Sequence, residues 1–241
     1  AYNTGIRTAR FSFIAFQEQD DISLGDRLET EINVLKAVDA SMVTGIAGWI
    51  DAERNPYKTW PDDIRTDLEI LRPSGSLYWE LLINQTCFSN ATTMINRSKM
   101  DPNDLIFDER FKTSGQDWDF HLRIARKYTM LRIKRILVLM KRGKGHISST
   151  AKKVNVFRDN RSLILKHWRL NIRTSRKFCL TPFLKAWSNE FLIEARYYHG
   201  VHGMILGFLS LVFWPANRNT WISLLNLVKM FGNKVVHAPP F

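Results

Sequence analysis

Residues 11–21 read FSFIAFQEQDD, and this stretch decides the fold. A run of aromatic and β-branched residues ends abruptly in three acids, Glu18, Asp20 and Asp21. Such an apolar run, bounded by a turn, is typical of a buried strand. Open α/β sheets bind their ligands beyond the carboxyl ends of strands. The three acids therefore lie where a functional site is expected.

The crowded carboxylates of this turn repel one another unless a cation lies among them. Oxygen-only clusters suit a hard divalent cation such as Mg²⁺ or Mn²⁺. In this interpretation Asp20 binds the cation, while Glu18 and Asp21 hold the metal or a sugar hydroxyl. The cation neutralises charge that develops on a diphosphate leaving group. The alternative is a solvated turn whose acids favour the N-terminus of the following helix.

The composition predicts a folded protein with two different surfaces. Hydrophobic residues make up 45% of the chain and charged residues 24%, as in ordinary globular proteins. The net charge of +12 is uneven: residues 1–75 hold 13 acids and 8 Lys or Arg, whereas residues 141–177 hold 12 Lys or Arg and one acid. This asymmetry indicates different partners for the two parts. The two cysteines lie far apart, which favours a reducing compartment.

Hydrophobic periodicity predicts alternating helices and strands in the first part of the chain and helices in the later part. Residues 51–76 are polar and contain prolines, so we predict a long loop on the ligand side. The predicted strands are 11–16, 42–50, 92–95 and 130–140, and the predicted helices are 3–10, 24–38 with Ser23 as N-cap, 78–82, 115–128, 153–173, 181–199 and 221–231. No apolar run reaches the roughly 18–20 residues that span a bilayer.

A second candidate site lies in residues 107–128, which read FDERFKTSGQDWDFHLRIARKY. Asp117 falls in the first turn of the predicted helix, where the helix N-terminus keeps a carboxylate ionised and ready to act as a general base. Ser114 and Asp117 also match a capping box, in which the acid only satisfies backbone N–H groups. The residues alone leave both interpretations open. Trp118 belongs to the apolar face of the same helix.

His146 lies in a loop rich in glycine and serine, residues 143–150, which reads GKGHISST. A neutral imidazole there could complete a metal site. The alternative is an ordinary surface loop residue.

The basic block of residues 141–177 predicts a polyanionic partner. Interleaved aromatic residues are compatible with nucleic acid. Anionic lipid is equally compatible, since each charge near such a surface contributes about 1 kcal/mol. A solvated helix face is the third interpretation. The apolar, Trp-bearing stretches 204–214 and 221–231 suit helices lying in a membrane interface, or ordinary core helices.

Three segments in order resemble family 2 glycosyltransferases, which are inverting enzymes with a GT-A fold. Residues 3–21 are similar to the family's N-x-G-x-x-x-A-x-G-x-Y-I-x-F-L-D-x-D-D stretch. Residues 92–98, TTMINRS, are similar to the strand before the acceptor site. Residues 107–125 resemble the F-D-E…G-E-D-W-D-L-x-L-R segment that holds the catalytic base. The likeness covers about residues 1–150.

The resemblance implies an α/β, GT-A-like fold: a Rossmann-like mixed sheet flanked by helices, with a C-terminal helical extension. Residues 1–150 correspond to the C-terminal part of the catalytic domain, and residues 151–241 to a basic, amphipathic extension. The family's nucleotide-binding first half has no counterpart in these 241 residues. We therefore expect an N-terminally truncated chain that is inactive by itself.

Matched position by position, Glu18 and Asp20 fall on the two acids of the family's D-x-D motif. The resemblance implies that Asp20 contacts the Mg²⁺ or Mn²⁺ ion that bridges the nucleotide diphosphate, with Glu18 beside it. Asp21 falls on the acid that follows. His146 falls near a histidine that binds metal in some members.

In the third segment, Gln116 and Asp117 fall on the E-D pair, and Trp118 falls on the tryptophan that follows. The resemblance implies that Asp117 is the catalytic base and that its two neighbours bind substrate. Two of these site positions depart from the family pattern. Glu18 replaces an Asp, and Gln116 replaces a Glu, so a role that needs a carboxylate at position 116 is in doubt.

The implied function is transfer of a sugar from a nucleotide-diphosphate sugar, in particular a UDP-sugar, to an acceptor hydroxyl with inversion. A glycan or lipid-linked acceptor in cell-surface polysaccharide or glycolipid biosynthesis is expected. A cytoplasmic location, peripheral on the inner face of the membrane, is also expected. No nucleic-acid partner is expected. The alternative is a non-catalytic basic module that binds membranes or nucleic acid and is indifferent to Asp20 and Asp117. Phosphoryl transfer would need a phosphate-cradling glycine loop, and the sequence has none.

Overall fold

The computed structural model describes residues 1–51, 56–61, 63–85, 88–141, 152–174, 180–198 and 201–224. These residues form two compact units. The first comprises Ala1–Leu81 and Gln85–Lys152, and the second comprises Leu82–Asn84 and Lys153–Phe241.

The first unit has the predicted α/β class, with a mixed sheet flanked by helices. Its strands are β1 (Phe13–Ala15), β2 (Ile22–Ser23), β3 (Met42–Ile50), β4 (Pro56–Trp60), β5 (Leu68–Leu71), β6 (Met94–Asn96) and β7 (Met130–Lys141). Its helices are α1 (Tyr2–Thr8), α2 (Arg27–Val38), α3 (Gly75–Ile83, which continues into the second unit) and α4 (Gln116–Lys127), with short 3₁₀ turns at Asn90–Thr92 and Arg97–Lys99.

The sheet is built around the two long strands β3 and β7, which pair in parallel. The order is β1-β6-β3-β7-β2, with β4 added to β3 and β5 added to β7, and every other pairing is antiparallel. Val43 and Leu131 are fully buried neighbours across the central pair. A Cβ at Gly45 would lie 2.9 Å from the backbone carbonyl oxygen of Arg135 as well as 2.6 Å from a methyl carbon of Leu137, so β3 favours glycine at this position.

Two sequence predictions for this unit were wrong. The predicted loop 51–76 contains β4 and β5, which are held by pairing with β3 and β7. Helix α2 begins at Arg27 with Asp26 as its N-cap, three residues later than predicted. Ser23 lies in β2, and its hydroxyl bonds to other side chains instead of capping a helix. Strand β3 has the predicted bounds, and α4 and β7 lie within one residue of theirs.

The second unit is helical, as predicted for this part of the chain. It contains α5 (Lys153–Thr174), α6 (Leu180–Tyr197) and α7 (Val201–Phe213), and residues 218–224 are also helical. Buried hydroxyls join these helices: Ser210 forms hydrogen bonds of 2.9 Å with Ser188 and 2.8 Å with Thr220. Among the described helices, none has the length and apolarity to cross a membrane.

Candidate functional site

The acidic turn follows β1 directly, beyond the buried ring of Phe16. The backbone N–H of Asp21 donates to the carbonyl of Glu18 at 3.4 Å, which closes the turn. Glu18 and Asp21 are half-buried, whereas Asp20 is exposed. The turn therefore offers one carboxylate to solvent and keeps two partly within the protein.

Arg27 braces this turn from inside the protein, and sequence reasoning missed it. Its side chain is 1% exposed. The guanidinium donates to the carbonyl of Phe16 at 2.9 Å, to Gln17 Oε1 at 2.9 Å and to Ser23 Oγ at 3.1 Å. Its Nε donates to Glu31 Oε2 at 3.1 Å. One buried cation thus binds both flanks of the acidic turn to α2.

Gln17 links Arg27 to the backbone of the acidic turn. Its Nε2 donates to the carbonyl of Glu18 at 3.0 Å and to the carbonyl of Asp21 at 2.9 Å. Because Arg27 holds the amide oxygen of Gln17, the amide nitrogen is directed at the turn backbone. The conformation of the turn therefore depends on the hydrogen bonds that run from Arg27 to Gln17 and from Gln17 to the turn backbone.

Glu31 completes the buried pair with Arg27 and is fully buried. Burial raises the pKa of Glu31 to about 7, and the neighbouring Arg27 cation opposes this shift. The carboxylate thus changes charge near neutral pH, next to the cation that braces the turn.

The first turn of α4 holds Asp117. Gly115 is the N-cap, with φ of 88°, a left-handed conformation that glycine adopts without strain. The capping-box alternative places Ser114 at the N-cap, whereas in the structure Gly115 is the N-cap and the helix begins at Gln116. Asp117 Oδ1 accepts the backbone N–H of Trp118 at 2.8 Å. Burial raises the pKa of Asp117, the Trp118 N–H opposes the shift, and the charge of Glu18 adds to it.

Tyr2 forms a hydrogen bond with one of the candidate carboxylates and is influenced by the charge of the other. Its hydroxyl donates a hydrogen bond to Glu18 Oε1. Burial raises the pKa of Tyr2, the hydrogen bond and charge of Glu18 add to the shift, the side chain of Asn90 opposes it, and the charge of Asp117 contributes further. The phenol therefore stays protonated and remains a hydrogen-bond donor. The charges of Glu18 and Asp117 both act on this side chain, and neither Tyr2 nor Asn90 was predicted.

A cluster of aromatic rings packs below this arrangement. Phe107 stacks on Tyr2 at 4.8 Å between ring centroids and on Phe120 at 4.4 Å. Phe16 meets Phe107 edge-on at 5.6 Å. Since Phe16 precedes the acidic turn and Phe120 follows Asp117 in α4, one apolar cluster positions both. Aromatic pairs of this kind contribute about 0.5–1.5 kcal/mol each beyond burial.

Asn3 fixes α1 to the segment that leads to α4. Its amide nitrogen donates to the carbonyl of Phe107 at 2.9 Å, and its amide oxygen accepts the Phe107 N–H at 2.7 Å. The same nitrogen donates to Glu109 at 2.8 Å. A polar cleft of about 330 Å³ opens beside this clamp, lined by Ala1, Tyr2, Asn3, Phe107, Glu109, Lys112 and Gln116.

The remaining predicted site residues have different surroundings. Gln116 lines the cleft and donates to the carbonyl of Phe111 at 2.6 Å. Trp118 is 3% exposed, and its ring N–H donates to the carbonyl of Leu81 at 2.8 Å, so the structure gives it a packing role, while its substrate contact stays a prediction. His146 lies outside the described residues.

The acidic turn has the donor chemistry of a Mg²⁺ or Mn²⁺ site, since it offers carboxylate oxygens with Asp20 exposed to solvent. Across the described ranges, no three His, Cys, Asp or Glu side chains are grouped closely enough to hold a metal ion by themselves. Bound diphosphate oxygens or His146 would have to supply further ligands.

No protein-family model matches the chain, and no curated protein matches it. Among solved structures, the chain is similar to S. aureus TarS 1–349 in complex with UDP-GlcNAc, with a TM-score of 0.54 and 10% identity over 96% of this chain and 71% of that chain. A second structure of TarS 1–349 gives a TM-score of 0.44 at 10% identity over 96% and 70% of the two chains. A structure of S. aureus TarS gives 0.45 at 10% identity over 92% and 40%. At this identity the first likeness shows the fold, which is that of the glycosyltransferase TarS.

Proposed function

We propose that this protein is an inverting, metal-dependent family 2 glycosyltransferase with a GT-A fold. It transfers a sugar from a nucleotide-diphosphate sugar to an acceptor hydroxyl. The observation that carries the proposal is the hydrogen bond of Tyr2 to Glu18, because the charge of Asp117, the candidate base, also acts on this phenol. The TarS-like fold supports it, and the UDP-GlcNAc bound in that neighbour favours a UDP-sugar as donor.

Asp117 is the proposed catalytic base. The acceptor oxygen attacks the anomeric carbon from the side opposite the diphosphate, and its proton passes to the Asp117 carboxylate. The bond between the anomeric carbon and the diphosphate oxygen breaks, and its electron pair leaves with the diphosphate. The raised pKa makes Asp117 a stronger base than an ordinary aspartate, and its partial exposure lets an acceptor reach it.

The acidic turn is the proposed donor side of the site. Asp20 and Glu18 would hold Mg²⁺ or Mn²⁺, with His146 as a further ligand, and the ion would supply Lewis-acid neutralisation of the diphosphate. Asp21 and Gln116 are proposed to bind donor or acceptor hydroxyls. Tyr2 orients Glu18 through its hydrogen bond.

For the acceptor we propose a glycan or a lipid-linked glycan at the cytoplasmic face of a membrane, in cell-surface polysaccharide or glycolipid biosynthesis. The support is the second unit, whose described surface combines basic residues with exposed apolar side chains. That surface also favours the second candidate function, a non-catalytic module that binds anionic surfaces.

Two measurements test the proposal. Calorimetry of the full-length protein with UDP and Mn²⁺ should show binding in the wild type and in Asp117→Asn, whereas sugar transfer should be lost in Asp117→Asn alone. Asp101→Asn, which changes an exposed acid of the same unit, is the matched control and should retain transfer. Unchanged turnover in Asp117→Asn contradicts the assignment of the base. Absence of UDP and Mn²⁺ binding, together with steeply salt-dependent binding to polyanions, favours the non-catalytic module.

A further inference from the structure

One side of α7 is entirely apolar and exposed. Val201 is 68% exposed, Ile205 53%, Phe208 58% and Val212 75%. Spacings of three and four residues place these side chains on one face of the helix. The other face contains the buried residues Gly203, Leu206, Gly207, Ser210 and Leu211.

The buried face of α7 fixes the orientation of the exposed one. A Cβ at Gly207 would lie 2.5 Å from Leu224 Cδ2, so the helix packs closely against residues 218–224. Ser210 bonds to the hydroxyls of Ser188 and Thr220 within the unit. Rotating α7 to bury its exposed side chains would break these contacts, so its apolar face stays outward.

Residues 218–224 add further apolar surface. Trp221 is 52% exposed and Ile222 is 48% exposed. The ring N–H of Trp221 donates to the carbonyl of Pro215 at 2.9 Å, so the indole exposes its apolar ring with its polar group satisfied. Tryptophan side chains are enriched at membrane–water interfaces. Large exposed apolar patches mark interaction sites.

The charge of the second unit indicates what covers this surface. Its three described acids are buried: Asp159 is 5% exposed, Glu190 0% and Glu194 5%. Nine described cationic side chains of the unit are half-buried or exposed, namely Lys153, Arg158, Arg161, Lys166, Arg169, Arg173, Lys185, Arg196 and Arg218. Over its described residues, the unit therefore presents basic side chains and hides its acids.

Two of these cations lie close to the apolar surface. Arg218 is exposed and precedes Trp221 by one helical turn. Arg196 donates to Ser223 Oγ at 3.2 Å, next to Ile222 in the chain. Cationic groups thus flank the exposed tryptophan, in the arrangement that binds acyl chains and anionic headgroups together.

We propose that the exposed face of α7, with Trp221 and Ile222, docks onto an anionic lipid surface. The apolar side chains enter the boundary between headgroups and acyl chains, and the flanking arginines contact the headgroups. A second copy of the chain would bring two basic surfaces together, which opposes self-association through this face. The proposal concerns the second unit and does not depend on sugar transfer by the first.

Vesicle co-sedimentation of the whole chain tests this proposal. We expect binding to vesicles of phosphatidylcholine with phosphatidylglycerol, and weaker binding to phosphatidylcholine alone or at high salt. Phe208→Glu should lower the affinity for the anionic vesicles at least about tenfold. The variant removes an apolar side chain that would enter the lipid, and it adds a negative charge that the anionic headgroups repel. Phe11→Glu is the matched control, since Phe11 is 80% exposed in the first unit, and it should bind as wild type. Arg218→Glu should weaken binding to the anionic vesicles selectively.

Circular dichroism melts show whether each variant folds, and Phe208→Ser provides a milder change at the same position. Equal binding by Phe208→Glu, Phe208→Ser and wild type overturns the proposal. A loss of vesicle binding in Phe11→Glu as large as that in Phe208→Glu also overturns the proposal. A wild type that does not bind vesicles, but forms a dimer that Phe208→Glu dissociates, assigns the face to a second copy instead. If the whole chain does not bind vesicles but a chain without residues 225–241 does, the apolar face is assigned to that segment instead.

Discussion

The phenol of Tyr2 donates a hydrogen bond to the carboxylate of Glu18, which lies 16 residues further along the chain. The two side chains come from α1 and from the turn after β1, so the bond exists only in the folded protein. Asn90 and Asp117 also influence the pKa of Tyr2. One phenol therefore forms a hydrogen bond with the proposed metal side of the site, while the charge of the proposed base acts on its pKa.

The first prediction concerns this bond. Tyr2→Phe keeps the ring that stacks on Phe107 and removes only the hydroxyl. A hydrogen bond to a charged group contributes about 1.5–3 kcal/mol, and partial exposure of Glu18 reduces this, so we expect kcat/KM to fall about tenfold. Steady-state kinetics of the full-length protein with a UDP-sugar, together with Mn²⁺ titration, measures the effect.

Tyr128→Phe is the matched control for Tyr2→Phe. The hydroxyl of Tyr128 donates to Asp104 Oδ2 at 2.6 Å, so this variant also removes a bond from a phenol to a carboxylate. It should lower stability without changing kcat/KM. Equal kinetic losses in the two variants would show that the bond to Glu18 has no special role.

The strong sequence patterns predicted the elements that carry the candidate residues. Strand β3 is buried on both faces and reads as a continuous apolar run, so its bounds could be predicted to the residue. Helix α4 has a marked apolar stripe and a glycine just before it. These patterns are local, which is why the turn before β2 and the position of Asp117 on a helix could be predicted.

Strands β4 and β5 could not be predicted, because long-range pairing holds them. Leu68 and Ile70 of β5 are 38% and 44% exposed, so the strand buries little apolar surface of its own. Its pairing with β7 joins Leu68 to Ile133, far along the chain. The contact of Tyr2 with Glu18 is non-local in the same way. For Arg27 a local signal existed, its spacing of four residues from Glu31, but its burial follows from the packing of α2 on the sheet.

The second prediction concerns Arg27 as a positioning residue. Arg27→Lys keeps the positive charge but loses the planar fork that contacts Phe16, Gln17 and Ser23. We expect the affinity for Mn²⁺ with UDP to fall about tenfold or more, since the acidic turn loses its support. Calorimetry measures this affinity, and kinetics should show a larger change in donor KM than in kcat.

Arg132→Lys is the control for a merely structural effect. Arg132 is also buried, at 5% exposure, and pairs with Asp63 and with Glu69 of β5. Both variants should unfold at lower temperature, but only Arg27→Lys should lose Mn²⁺ affinity. If the two variants lose affinity equally, the effect reflects general destabilisation.

The third prediction is a pH dependence of stability from Glu31. Its pKa rises from 4.5 in the unfolded chain to about 7 in the fold, so the folded protein binds the proton more tightly. Its contribution to stability is therefore present in full below the unfolded pKa and is lost as the pH rises through about 7. The change across this window is on the order of 3 kcal/mol.

Glu31→Gln removes this titration while keeping the shape of the side chain. Urea unfolding of both proteins between about pH 5 and pH 8 should show that wild type loses free energy of unfolding relative to the variant as the pH rises. A difference between the two proteins that stays constant over this range contradicts the raised pKa.

The fourth prediction separates packing from substrate contact at Trp118. Trp118→Phe removes the ring N–H that donates to the carbonyl of Leu81 and leaves space around a smaller ring. The unpaired carbonyl costs about 1–3 kcal/mol and the lost volume adds to it, so the thermal midpoint should fall by several degrees. If packing is its role, the KM values for donor and acceptor should stay within about twofold of wild type at a temperature where both proteins are folded. A large rise in either KM, with a small change in the midpoint, would instead favour the substrate contact that the family resemblance implies.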